Sequence, residues 1–245
     1  YFSSFDSNGF TLAGGNYNNS NKSGQTYVAW CWKAGGGSGS ANTDGSINTA
    51  STSANTTSKF SIGKFNTNTA TSSSSAETIG HGLSGAAKMV ILKPLGSDSW
   101  YVFHASAGNN KYLTLDGTSA ATTNTNTWNN TAPTSSVFSI NTTFWGKNTN
   151  NIAAYSFADV QGFSKFGSYT ANGNADGAYV HLGFRPAFLM IKNTSSGSTN
   201  WHLYDNKRLG YNVDNNMQRP NLATADQTDD DLDLLSNGFK IRRVT

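Results

Sequence analysis

Large apolar residues in this chain come in short bursts between long stretches of Asn, Ser, Thr and Gly. No window sustains apolar residues at helical spacing. The bursts are rich in β-branched and aromatic residues and have the length of strands. They predict strands at Gly9–Leu12, Thr26–Trp32, Lys59–Phe65, Ala87–Lys93, Trp100–His104, Lys111–Leu115, Ser136–Ile140, Asn151–Phe157, Gly167–Thr170, Ala178–Leu182, Ala187–Lys192, Trp201–Tyr204 and Gly238–Arg242. Continuous apolar runs at Met89–Leu92 and Phe188–Ile191 predict central strands covered on both faces. Asn-Gly pairs at Asn8, Asn172 and Asn237 reach positive φ cheaply and predict tight strand corners. Many short strands at this spacing predict an all-β fold, an antiparallel β-sandwich of jelly-roll type.

The bursts also repeat. Ala87-Lys88-Met89-Val90-Ile91-Leu92-Lys93, preceded by His81-Gly82-Leu83, returns as Ala187-Phe188-Leu189-Met190-Ile191-Lys192, preceded by His181-Leu182-Gly183-Phe184. Trp100-Tyr101-Val102-Phe103 returns as Trp201-His202-Leu203-Tyr204, and Phe60-Ser61 as Phe163-Ser164. Tyr27-Val28-Ala29-Trp30-Cys31-Trp32 corresponds to Ile152-Ala153-Ala154-Tyr155-Ser156-Phe157, and Ser7-Asn8-Gly9-Phe10 recurs as Ser236-Asn237-Gly238-Phe239. Matches in one order predict two tandem related modules. The expected division is residues 1–33 as the end of a module, 34–58 as a linker, 59–160 as module A and 161–245 as module B, which lacks its last strand. The linker expectation rests on composition: Ala34–Ser58 is Gly, Ser, Thr and Asn with Ile47 as its one large apolar residue.

The run Tyr155–Gly177 (Tyr-Ser-Phe-Ala-Asp-Val-Gln-Gly-Phe-Ser-Lys-Phe-Gly-Ser-Tyr-Thr-Ala-Asn-Gly-Asn-Ala-Asp-Gly), together with Gly183–Lys192, Trp128–Thr134 and Leu235–Phe239, resembles a repeated module of marine tailed-phage structural proteins. Such modules occur in large tail-fibre-like or virion proteins beside lectin-like jelly rolls. The resemblance covers residues 59–241 well and 1–33 more weakly, and departs at Ala34–Ser58, longer than the matching junction Ala158–Gly162. It implies a β-sandwich on a virion or extracellular fibre and carries over no catalytic residue.

Composition narrows the rest. Charged residues are 13% of the chain and the net charge is +3 without a basic stripe, which argues against a nucleic-acid partner. Net charge that low with 12% aromatics also argues against disorder. No stretch is long and apolar enough for a membrane helix, and a first residue of Tyr1 is expected for a processed product or a fragment. A single cysteine, Cys31, excludes an intrachain disulfide and is expected as a small buried hydrophobe.

Candidate chemistry is sparse. His81, His104, His181 and His202 lack metal-ligand spacing, so no metal or cofactor is expected. His81 and His181 read as repeat counterparts. Asp226, Asp229, Asp230, Asp231 and Asp233 cluster without the glycine or the closing glutamate of a calcium loop and read as a solvated loop. Glu77 and Asp98 are isolated, and no Gly-x-Ser-x-Gly elbow or phosphate loop occurs. Sequons begin at Asn18, Asn55, Asn129, Asn141 and Asn193, as composition alone would produce. Of the tryptophans, Trp128 lies among polar residues and is the candidate for stacking on a sugar. The function expected is a structural protein of a virion or extracellular fibre, not an enzyme, whose partners are copies of itself. The alternative is an adhesin for cell-surface glycan, and a weaker one a secreted glycan-degrading enzyme. Tyr27, Val28, Trp30 and Trp32 are the candidate inter-subunit strand. That strand would complete module B, either within one chain or, as favoured here, between chains.

Overall fold

The structure is a computed structural model and describes residues 2–15, 20–147, 151–208, 212, 215–229 and 232–242. Asn18, Asp230, Asp231 and the chain end at Thr245 lie outside the described residues. The chain divides into two compact units, Tyr1–Trp32 and Lys33–Thr245.

In the first unit, β1 (Phe2–Asp6) and β2 (Gly9–Leu12) form an antiparallel hairpin closed at Asn8-Gly9. The Asp6 carboxylate accepts hydrogen bonds from the Ser4 and Thr11 hydroxyls and ties the open faces together. The strand expected at Thr26–Trp32 is not formed; these residues are coil. Alternation supplies such a segment with two faces, but side-chain pattern alone does not supply the hydrogen-bonded ladder of a strand.

The second unit begins with β3 (Ser51–Asn55), β4 (Phe60–Asn66) and β5 (Ala76–Gly80). These are followed by β6 (Met89–Pro94), β7 (Tyr101–His104), β8 (Lys111–Thr114), β9 (Thr122–Thr123) and β10 (Val137–Asn141). A one-turn helix, α1 (Thr142–Trp145), leads towards β11 (Asn151–Phe157), and the Asn141 side chain caps it by accepting from the Thr143 N–H. The order β3-β4-β11-β6-β7-β8-β9 makes a seven-stranded sheet, with every named pair antiparallel, while β5 and β10 pair separately.

Further along are β12 (Tyr179–His181), β13 (Phe188–Lys192), β14 (Trp201–Asp205), β15 (Asn215–Met217), β16 (Gln227–Asp229), β17 (Leu232–Leu235) and β18 (Gly238–Ile241). They form a β12-β18-β17 sheet and the pairs β13-β14 and β15-β16, and Leu203 bridges β14 to Gln218. Asn237-Gly238 makes the β17–β18 corner that its sequence predicts, while Asn172-Gly173 joins no hairpin.

Alternation along the strands sorts the core into three clusters. Phe65, Val90, Leu92, Phe103 and Ile152 leave one face of the large sheet and meet Ile79, Phe138 and Ile140 of the β5–β10 pair. Met89, Ile91, Val102 and Leu113 leave the other face and meet Trp201, Met190 and Phe166. Leu189, Ile191 and Tyr204 pack with Val180, Leu232, Leu234 and Phe239. The result is the all-β sandwich architecture that the pattern predicts.

Four expectations are corrected. The segment Ala34–Ser58 is not a linker. It carries β3, buries Ile47 completely, and brings the Gly45 backbone against Thr78. A single apolar anchor and a backbone ladder suffice to order a segment whose composition reads as a loop. Second, Gly167–Thr170 is coil. Third, β6 is central with both faces covered, as predicted, but among the described residues β13 pairs with β14 alone and its five residues are half-buried. Fourth, His81 and His181 are not counterparts by pairing. The His81 N–H bonds the Ser136 carbonyl as the Leu182 N–H bonds that of Asn237, so Leu182 stands in the place of His81.

Candidate functional site

Trp128, the expected sugar-stacking residue, is 1% exposed, which overturns its assignment to a surface site. Its ring packs edge-on to Phe103 at 5.6 Å and against Trp145 at 6.1 Å, so neither face is open to a ligand. The local cause lies in the next two residues. Asn129 and Asn130 adopt left-handed φ of 49° and 46°, a conformation that asparagine tolerates better than most residues, and the Thr131 N–H returns to the Trp128 carbonyl. That reversal turns Trp128 into the core beneath a polar loop. Its buried indole N–H finds no acceptor among the described residues.

Tyr27, Val28, Trp30 and Trp32 lie in the first unit, and all but the half-buried Trp30 are exposed. The Tyr27 hydroxyl accepts from the Lys22 N–H at 3.0 Å, which folds the chain into a loop ahead of this stretch. Cys31 is exposed, contrary to the buried position expected for it. On the hairpin, Phe2, Phe5 and Phe10 are exposed too, Phe5 to 86%, with Phe2 4.5 Å from Phe5 and 6.1 Å from Phe10 between ring centroids. Among the described residues of this 32-residue unit, six large apolar side chains thus face solvent. Singly exposed apolar residues are ordinary, and their concentration in so small a unit is what sets this one apart.

The polar groups form no comparable constellation. A shallow cleft of about 400 Å³ is lined by Asp44, Gly82, Ser84, Ser135 and Ser136. It offers one carboxylate and three hydroxyls. Beside it, buried His81 accepts the Leu83 N–H on Nδ1 and donates from Nε2 to the Thr134 carbonyl, both at 3.2 Å. Burial pushes its pKa down, opposed by the Thr134 bond and the Asp44 charge. Glu77 is buried and accepts from the Ser46 hydroxyl, the Thr71 N–H and the Ser75 hydroxyl, each at 2.6 Å. Burial alone would raise its pKa; these bonds outweigh burial and hold it below the ordinary value. Both residues serve as internal ties between loops. Asp226 pairs with Arg208 at 3.1 Å and Asp233 with Arg242 at 2.9 Å, so these two acidic side chains turn to arginines instead of converging on a cation. Among the described residues no three His, Cys, Asp or Glu stand close enough to hold a metal.

The second surface that stands out is the outer edge of β13. Phe188, Leu189, Met190 and Ile191 are half-buried there, whereas Met89, Val90, Ile91 and Leu92 on β6 are buried. The difference follows from pairing: β6 lies between β11 and β7, whereas among the described residues the one strand that β13 ladders with is β14.

The chain belongs to the family described as a domain of unknown function, DUF7483, whose match spans residues 1–245. No curated protein and no solved structure matches it.

Proposed function

We propose that this DUF7483 chain is a structural protein of an extracellular fibre or virion, built to hold shape and to contact copies of itself, and that it is not an enzyme. The exposed aromatic surface of the first unit carries this reading. Solvent-facing Phe2, Phe5, Phe10, Tyr27 and Trp32 fit a protein whose finished form buries them against another chain. The repeat supports the architecture that such a protein needs, two tandem related modules. In β6–β7, Val90 lies opposite Phe103 and Leu92 opposite Tyr101; in β13–β14, Leu189 lies opposite Tyr204 and Ile191 opposite His202. The register is the same at both places. The two hairpins also close alike, with the Ala105 N–H on the Lys88 carbonyl and the Asn206 N–H on that of Ala187. The Trp100 and Trp201 main-chain N–H groups each donate to a side-chain oxygen, of Asp116 at 3.2 Å and Asn221 at 3.1 Å. Ile79 opposite Phe138 and Val180 opposite Phe239 complete the correspondence.

Light scattering across a concentration series, with electron microscopy of the same sample, tests the proposal. Regular multimers that weaken in the Phe5→Ser variant are expected. A protein that stays monomeric throughout overturns the proposal, and a glycan array on that monomer then tests the adhesin reading.

A further inference from the structure

We infer that an uncovered corner of the large sheet binds an acidic polysaccharide, seating a uronic acid ring on Trp100 and Tyr155 with its carboxylate towards Lys93 and Lys64. The inference goes beyond the structural role and stands whether or not the chain assembles.

Residues directly opposite in an antiparallel ladder share a face of the sheet. Lys64 of β4 lies opposite Ala153 of β11, and Ala153 lies opposite Lys93 of β6. The three make one row, with the small Ala153 between two lysines whose backbones stand roughly 10 Å apart across two strand spacings. In the next row on the same face, Ile62 lies opposite Tyr155 and Tyr155 opposite Ile91. Trp201, Met190 and Phe166 cover this face where Met89, Ile91, Val102 and Leu113 leave it. The cover stops short of the corner. Ile62 is 38% exposed and Lys64 is exposed, while Lys93, Trp100, Ala153 and Tyr155 are half-buried.

Two features of the corner point to a ligand. The Trp100 and Tyr155 rings are inclined by only 24° with centroids 6.1 Å apart, the offset arrangement in which each ring keeps part of a face uncovered. Lys93 Nζ lies 6.0 Å from the centroid of the Trp100 ring. It donates to the Gly96 and Asp98 carbonyls, which leaves one of its three donors for a ligand. Among the described residues no carboxylate pairs with Lys64 or Lys93. The acidic residues close by are engaged already. Asp98 accepts from the Tyr101 hydroxyl at 2.9 Å and the Ser99 N–H at 2.8 Å, and Asp116 accepts from the Trp100 main-chain N–H at 3.2 Å. Two positive charges therefore stand uncompensated beside an aromatic step, and their complement is an anion carried on a ring.

A uronic acid has both parts within one residue: C–H groups that lie on an aromatic face, and a carboxylate at the ring's edge that reaches an ammonium. The short span from Lys93 Nζ to the Trp100 ring suits a ring that bears its own charge. A nucleotide holds its phosphate a whole sugar away from its base, and a run of acidic amino acids offers no ring. Two lysines in one row suit a chain with a carboxylate on each successive sugar, and an open sheet face admits such a chain along its length.

Oligogalacturonate titrated into the full chain, read by isothermal calorimetry, tests the site. Binding that added salt weakens is expected, with none to neutral dextran oligomers. Lys64→Glu alters an exposed side chain and should keep the parent's melting temperature while weakening binding about tenfold or more. Tyr155→Leu keeps an apolar residue but removes the ring, and should also bind weakly. Lys207→Glu makes the same charge change at an exposed position after β14 and should leave binding as it was. A chain that takes up no oligogalacturonate at millimolar concentration overturns the inference. Equal weakening by Lys64→Glu and Lys207→Glu does so too, since it marks a general charge effect. Equal binding of dextran, polyglutamate or single-stranded DNA overturns the choice of ligand.

Discussion

Trp128 and His81 are side chains with polar atoms that the fold uses as core. Trp128 fills the space between Phe103 and Trp145, so Trp128→Ala leaves a ring-sized void and should cost about 3–5 kcal/mol, read from denaturant midpoints. Val90 is completely buried on the central strand, and Val90→Asp would place an unpaired carboxylate there. That variant should melt well below the parent, whereas Leu189→Asp, on the half-buried edge strand, should lose much less. His81 governs a pH effect. Its folded pKa lies below the ordinary 6.5, so as the pH falls the unfolded chain takes up the proton first. The stability contributed by the neutral ring is complete above about pH 6.5 and disappears as the pH drops through the lower folded value. His81→Gln should therefore flatten the loss of stability on the acid side in unfolding titrations run at a series of pH values. His104, lowered by burial in the same direction, retains part of the slope.

Among the elements, Ser51–Asn55 is the most informative. It holds no large apolar residue, yet β3 ladders onto β4 from Ser51 opposite Lys64 to Asn55 opposite Phe60. Upstream, Ile47 bridges to Ile79 and reaches the first core. Ile47→Ala should cost about 2–5 kcal/mol and open residues 34–58 to protease, while the parent chain resists cleavage there. This element also marks the limit of what the sequence discloses. Strands with apolar or alternating side chains, β4, β6, β7, β11 and β14, stand at or within two residues of the predicted places because burial wrote itself into their composition. Strands held by backbone ladders with few apolar contacts, β3, β9 and β16, left no such record. Thr26–Trp32 failed in the opposite direction: its side chains have strand character, but a strand is made by backbone pairing that side-chain pattern does not fix. At the candidate site the same reasoning failed for Trp128, because chain reversal at Asn129-Asn130 is invisible to hydropathy.

At the scale of the molecule, the second core cluster links residues far apart in sequence. Trp201 closes over Met89, Ile91, Val102 and Leu113, and its indole N–H donates to the Thr114 carbonyl at 2.8 Å. Trp201→Phe keeps most of the packing and should cost about 1 kcal/mol for the lost hydrogen bond. Trp201→Ala should cost about 3–5 kcal/mol and lower the thermal midpoint of the whole second unit. Because residues from β6, β7 and β8 and from β13 and β14 build this one layer, neither stretch of chain carries a complete set of core contacts of its own. Recombination that replaced residues 161–242 with the corresponding stretch of a relative would bring a foreign surface to Met89 and Ile91, and would survive only with compensating changes on β6 and β7. In this way the shared layer makes the two stretches of chain that build it interdependent, so that neither can be exchanged without the other.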